Sequence, residues 1–219
     1  MERVPEPELM EDPVQARAYA GADFEAPHSA FLEGFGRCFP DHRPRRVLDL
    51  GCGPGDIGLR FLRRYTDCHL TGVDGSAAML DLARRAAREA GLEHRAHWLH
   101  QRLPAPLGLE PFDTLISNSL LHHLHDPGVL WCSLRELATP GAAVYVVDLR
   151  RPASPGAARV LVAQYAAGEP AILQRDFLHS LQAAFRPDEV RRQLDAAGLA
   201  GWRVEAVGDR HLRVWGRGG

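Results

Sequence analysis

The chain has 219 residues, of which 45% are apolar and 25% charged, and its formal net charge at pH 7 is −2. That is the size and balance of one globular domain with a real core. There is no basic tract, although all 26 cationic residues are arginines, so a standing attraction to nucleic-acid phosphates is excluded.

The four cysteines, Cys38, Cys52, Cys68 and Cys132, form no C-x-x-C pair and read as reduced thiols of a cytoplasmic protein. The opening MERVPEPELMEDP is acidic and proline-rich, without the apolar stretch of a secretion signal. No apolar run nears the roughly 20 residues of a membrane span. Residues 1–12 are expected to form a loose arm. Asp12-Pro13 starts a short helix, with a capping carboxylate and then proline, and Gly21 stops it. Phe31, Phe35 and Phe39 recur at spacing four in HSAFLEGFGRCF and predict a second helix with one apolar stripe. These two helices precede the first strand and are free to cover something.

A strand–helix alternation then begins. RRVLDL, HLTGVD, RAHWLHQ, FDTLISN and AAVYVVDL read as five strands, the last apolar throughout, as a central parallel strand should be. Ser76 caps a helix that Gly91 ends, and Asp126-Pro127 opens another. Residues 152–185 are mostly helical and fit no sheet position. Pro187 starts a last helix, stopped by Gly198, and WRVEAV-GDR-HLRVWG reads as a hairpin, hence an antiparallel edge. The pattern predicts an α/β doubly wound sheet in a single domain over 1–219. Its parts are an arm with covering helices (1–44), a core (45–150), a helical lid insert (151–186), and a last helix with the hairpin (187–219).

The stretch VLDLGCGPGDIG can be read in two frames. Gly51, Gly53 and Gly55 give G-x-G-x-G, whereas Gly53, Gly55 and Gly58 give the dinucleotide fingerprint G-x-G-x-x-G. The spacing to the acidic Asp74 fits both. Three features favour the first frame. Its first glycine, Gly51, stands at the strand end. Asp49, inside the strand, would repel a pyrophosphate and welcome an amino group. The chain also ends in a hairpin that a dinucleotide fold does not require.

VLDLGCGPG, LTGVDGSAAML, FDTLISNSLLHHLHDP and VYVVDL, in this order at successive strand ends, resemble the motifs of class I S-adenosylmethionine-dependent methyltransferases. The resemblance covers roughly residues 45–150 and the hairpin. It implies a Rossmann-like seven-stranded sheet, parallel but for one strand, with S-adenosylmethionine as methyl donor. It also implies donor-binding roles. Gly51, Gly53 and Gly55 would lie under the methionine end, Asp49 would orient the amino group, and Asp74 with Gly75 would take the ribose. Ser117 and Asn118 would stand near the sulfur. The family often has an acidic residue after strand three; here Gln101, with His100 next, takes that place.

His122 and His123 are the candidate catalytic residues. Tyr19 and Phe24 near the N-terminus, Arg150 (with Arg151) after strand five, and Tyr165 and Arg175 in the insert are candidates for the donor cover and acceptor pocket. No metal is expected. Neighbouring imidazoles among His122, His123 and His125 would point apart on a helix with no carboxylate to complete a set, and His94, His97 and His100 alternate faces of a strand. SNSL stands where amino-group methylases of bases carry N-P-P-Y, which argues against nucleic acid and for a small-molecule acceptor. A donor-binding regulatory protein without turnover, and a nicotinamide-dependent oxidoreductase, are the alternative readings.

Overall fold

The computed structural model describes residues 1–6, 13–104 and 108–219, and within its first helix the side chains from Gln15 onward. In chain order the elements are α1 (Pro13–Ala20), α2 (Glu25–Cys38), β1 (Arg46–Leu50), α3 (Asp56–Arg64), β2 (His69–Asp74), α4 (Ala77–Glu89) and β3 (Ala96–His100). Then come β4 (Phe112–Asn118), α5 (Gly128–Leu137), β5 (Ala138–Leu149), α6 (Pro155–Tyr165), α7 (Ala171–Ala183), α8 (Pro187–Ala196), β6 (Arg203–Val207) and β7 (His211–Arg217). Local chemistry sets several of these boundaries. The Ser76 hydroxyl accepts from the Met79 amide and caps α4, and Ser154 caps α6 the same way ahead of Pro155.

The strands form one seven-stranded sheet in the order β3-β2-β1-β4-β5-β7-β6. β1 to β5 pair in parallel, and β7 runs antiparallel to both β5 and β6. The expected hairpin is present, but its antiparallel strand is not the edge: β7 is inserted beside β5, and β6 ends the sheet. β5 also begins four residues before the expected AAVYVVDL. Gly141, at φ +78°, lets the TPG segment be absorbed across a register shift, and Ala138 pairs with Phe112.

Alternation along the strands builds two cores. Leu48, Leu50, Leu115, Val144 and Val146 face α5 and α8, meeting Leu130, Trp131, Val190 and Leu194. Val47, Ile116, Ala143 and Tyr145 face the other way, against Phe31 and Phe35 of α2, Ile57 and Phe61 of α3 and Leu80 of α4. The predicted phenylalanine stripe is therefore a core stripe: Phe31 and Phe35 each pack edge-on to Tyr145, at 4.9 and 5.9 Å between ring centroids. A third, smaller cluster joins α6 and α7 to Leu149.

Residues 1–6 are not a loose arm. The Met1 amine donates to the Ala153 carbonyl, the Val4 amide to Gln182, and the Arg3 guanidinium to the carbonyls of Ala183, His122 and Leu124. Arg3 also lies 4.0 Å over the Phe185 ring. The segment straps the turn after β4 to the end of α7. The predicted capping role of Asp12 falls outside the described residues. Among the described residues, no helix is long and apolar enough to cross a membrane.

Candidate active site

The parallel strands end their carboxyl termini at one cavity of about 1160 Å³. Asp49 and Gly51 of β1 and the loop after it, Asp74 of β2, Gln101 after β3, Asn118 of β4 and Leu149 of β5 all line it. This is the crevice where open α/β sheets take their ligands.

The glycine loop divides its work. Gly51, Gly53 and Gly55 all adopt positive φ, at +70°, +51° and +84°. A Cβ on Gly55 would stand 2.7 Å from the Trp98 ring, and one on Gly51 would meet Leu120 at 2.8 Å, so these two glycines serve packing. A Cβ on Gly53 would meet no atom within 4 Å. Gly53 therefore borders the open part of the cavity. Gly51 also lines it, and Gly55 does not.

Asp74 accepts the Gly53 amide on one oxygen and the Ser76 amide on the other, each at 2.8 Å. Burial raises its pKa, against the pull of those amides. Asp49 is buried at 1% exposure, and its Oδ2 has no hydrogen-bond partner in the protein. Burial, and then the nearby Asp74 carboxylate, push its pKa well above the ordinary value. An orphaned buried carboxylate oxygen on a residue that lines the same cavity as the open Gly53 suits a ligand bearing a cationic or donor group.

Other expected donor contacts are redistributed. Asn118, Gly75 and Gln101 line the cavity. Ser117 does not: its hydroxyl donates to the Leu50 carbonyl at 2.8 Å and ties β4 to β1 from inside the core. His100 turns out to the Gly75 carbonyl instead of lining the cavity. Ser119, next to Asn118, holds a left-handed φ of +56°, a strained position that sequence reading missed.

α1 and α7 roof the far half of the cavity. The Gln15 amide donates to Asp176 at 2.7 Å across them. Tyr19 and Phe24 both line the cavity, their rings 4.9 Å apart, and Phe24 stacks on His28. Burial, followed by the carboxylates of Asp148, Asp74 and Asp56, pushes the Tyr19 phenol up to about 12. His28 bonds Asp56 at 2.5 Å, which links α2 to the start of α3.

Four expected acceptor residues lie elsewhere or at the margin. Arg150 donates to the carbonyls of Gly208 and Asp209 in the hairpin turn, because its strand end faces β7. Arg151 is buried against Ala184 and Glu189. Arg175 is an exposed partner of its neighbour Asp176, since that turn of α7 presents Asp176 inward and Arg175 outward. Tyr165 stays at the rim, bonded to Asp209 with Arg210 over its ring.

The His pair differs most from expectation. Leu121–His123 is a 3-10 turn, not an α-helix, and the rings of His122 and His123 lie 4.2 Å apart. His122 is buried, with Nδ1 2.5 Å from Asp148 Oδ1. Burial opposes its charge, but Asp148 and then Glu6 outweigh that and raise its pKa. Glu6 of the N-terminal strap supplies the carboxylate that seemed lacking, 3.5 Å from His122 Nε2 and 3.3 Å from His123 Nδ1. His211, on β7 beside Leu149, also lines the cavity, and burial followed by Arg210 pushes its pKa down to about 4. Glu6, His28, Asp148 and His211 were not singled out from sequence. Asp148 had a signal, as the acidic end of the apolar strand VYVVDL. Glu6 sits in a segment without periodicity or motif, while His28 and His211 sit in predicted elements whose pattern marks only their apolar neighbours.

Comparison with known proteins agrees with this geometry. A family profile described as "Methyltransferase domain" matches residues 47–141. An uncharacterized methyltransferase of Mycobacterium tuberculosis is 30% identical over 149 residues, 68% of this chain and 73% of the relative. A ubiquinone biosynthesis O-methyltransferase of Aeromonas salmonicida is 26% identical over 71% of this chain and 63% of its own length. Among solved structures, the plantazolicin methyltransferase BpumL in complex with a pentazolic desmethylPZN analog and S-adenosylhomocysteine aligns with a TM-score of 0.71 at 14% identity, over 95% of this chain and 92% of that one. A SAM-dependent methyltransferase from Aquifex aeolicus aligns at 0.66 with 18% identity, over 95% and 99%. The fold and the relatives are those of an enzyme that uses S-adenosylmethionine. The chain belongs to the class I S-adenosylmethionine-dependent methyltransferases.

Proposed function

We propose that the chain methylates a small-molecule acceptor held in the roofed half of the cavity, with the donor on the glycine-loop side. The observation that carries this reading is the roof itself. The Gln15–Asp176 bond joins α1 to α7, and both helices line the cavity at the strand ends, which favours an acceptor that fits under them. A polymer would need an open surface there. The curated relatives differ in what they methylate, so the acceptor class comes from the cavity and not from them.

The residues fit the donor. The orphaned Asp49 Oδ2 would accept its amino group, directly or through water. The open face of Gly53 would admit the methionine end. Asp74 keeps lone pairs on both oxygens for the ribose hydroxyls. Gly75 would border the ribose and Gln101 the adenine. Asn118 would stand near the sulfur, and Tyr19 would close the donor from the acceptor side.

S-adenosylmethionine supplies an electrophilic sulfonium methyl whose leaving thioether is neutral, so no general acid is required. The protein's work is to align the acceptor's nucleophile with the carbon–sulfur bond and to exclude water. Phe24, with Tyr19, would hold the acceptor's apolar part, with Tyr165 at the rim. The His122–His123 pair would handle a nucleophile that arrives protonated.

The experiment uses donor carrying a labelled methyl group, the purified chain and a cell extract, followed by separation by size. Label in the fraction below about 1 kDa supports the reading. Label confined to protein or nucleic acid would overturn it.

A further inference from the structure

We propose that Glu6, His122 and His123 form a binding site for a late first-row divalent cation, with zinc as the leading candidate. The three donor atoms all lie within 4.8 Å of one another. Glu6 Oε1 is 3.5 Å from His122 Nε2 and 3.3 Å from His123 Nδ1. Two ligands each about 2.0–2.1 Å from a tetrahedral ion stand roughly 3.3–3.4 Å apart. These two separations are close to two edges of a tetrahedron around one ion.

The surrounding groups support the same reading. A metal-binding imidazole usually gives its second nitrogen to a carboxylate, which fixes its tautomer and aims it. His122 does this, with Nδ1 2.5 Å from the buried Asp148 and Nε2 turned to the cluster. The Ser180 hydroxyl donates to Glu6 Oε1 at 3.0 Å and holds that carboxylate in place. Arg3 is bonded to the His122 and Leu124 carbonyls, and its positive charge, which works against a cation here, is opposed by the carboxylates of Glu189, Glu6 and Asp148. Two imidazoles and one carboxylate suit zinc, cobalt or nickel, whereas magnesium and calcium prefer all-oxygen sets. Three protein ligands leave a fourth position. Both imidazoles line the cavity, so with the ion bound they would serve as its ligands instead of taking the acceptor's proton, and water or a heteroatom of the acceptor would complete the set there.

The role of such an ion rests on the acceptor reading above, but its binding does not. The test uses the full chain after chelator treatment, titrated with zinc alone against a chromophoric chelator, then with cobalt while recording its visible spectrum. One equivalent of zinc is expected, together with the intense visible bands of four-coordinate cobalt. His123→Ala and Glu6→Gln should each weaken zinc at least ~10-fold, and Asp148→Asn should weaken it ~10- to 100-fold through His122. The exposed His97→Ala should change nothing. Circular dichroism checks each fold, and the near-isosteric Glu6→Gln carries the test should His123→Ala misfold. Absence of a stoichiometric site, or zinc affinity unchanged in both Glu6→Gln and His123→Ala, would overturn the proposal. Neither result bears on the labelled-methyl experiment, which needs no added metal and tests the acceptor.

Discussion

The Nδ1 of His122 lies 2.5 Å from Oδ1 of Asp148, and both side chains are almost wholly buried, at 3% and 1% exposure. Removing one member of a buried pair leaves the other desolvated without compensation. Asp148→Ala should therefore cost about 3 kcal/mol or more of unfolding free energy, measured by denaturant titration of the metal-free protein. Arg85→Ala, which breaks an exposed pair with Glu89, should cost less than about 0.5 kcal/mol. Equal costs for the two would mean that the His122–Asp148 contact is not formed.

Two glycines of one loop should separate folding from binding. Gly55→Ala puts a methyl 2.7 Å from Trp98 at φ +84°, so it should lower the melting temperature, the mark of roughly 2 kcal/mol of clash and strain. Gly53→Ala meets no protein atom and pays only for its φ of +51°, roughly 1 kcal/mol. Its methyl fills space assigned to the donor, so it should lose donor affinity well beyond its loss of stability. Melting curves with and without S-adenosylhomocysteine decide; the reverse order would move the donor away from Gly53.

The roof should matter where Arg175 does not. Asp176→Ala removes the acceptor of the Gln15 bond, which is worth about 1 kcal/mol and so about a fivefold fall in turnover through a looser cover. Tyr19→Ala should lower turnover about tenfold, more than it lowers donor affinity, as roughly 1–2 kcal/mol of lost positioning would. Arg175→Ala should change neither. Steady-state rates on the identified acceptor, with calorimetry for the donor, separate these outcomes.

His211 gives a pH dependence with a definite sign. Its ordinary value is 6.5 and its folded value about 4, because burial and then Arg210 oppose the proton more than Asp148 and Asp209 favour it. The unfolded chain therefore takes up the proton first as pH falls. The stabilisation is complete above about pH 6.5 and is lost as pH falls toward 4. Between pH 7 and pH 5 the wild type should lose ~1 kcal/mol more than His211→Gln, after allowance for partial exposure. Urea unfolding at the two pH values measures this, and parallel losses would mean that His211 is charged in the fold.

The sheet was legible because its signals are local and repeated. VLDLG, HLTGVD and FDTLISN combine apolar runs with strand-end acids and glycines, and β2, β4 and α1 occupy the predicted residues. The proposed donor half was legible for the same reason, since Asp49, Gly53 and Asp74 sit in motifs at strand ends and line one cavity. The acceptor half depends on contacts between distant segments. Glu6 meets His123 across more than a hundred residues, and nothing in MERVPEP announces it. Direction was also unreadable: adjacent Arg175 and Asp176 differ only in which side of α7 they face. Ser117 and Asn118 show the same point in a strand, one turned into the core and one into the cavity.

The central claim is that Asp74 and the Gly53 loop hold the donor, and calorimetry of S-adenosylhomocysteine binding to the wild type and to Asp74→Ala tests it most directly. Asp74 already accepts the Gly53 and Ser76 amides, so melting curves must first establish that the variant is folded. The wild type should bind one equivalent. Loss of hydrogen bonds to a charged group should weaken the variant by ~2–3 kcal/mol, roughly 30- to 150-fold in Kd. An unchanged Kd in a folded Asp74→Ala would contradict the account, since the carboxylate would then serve only the two backbone amides.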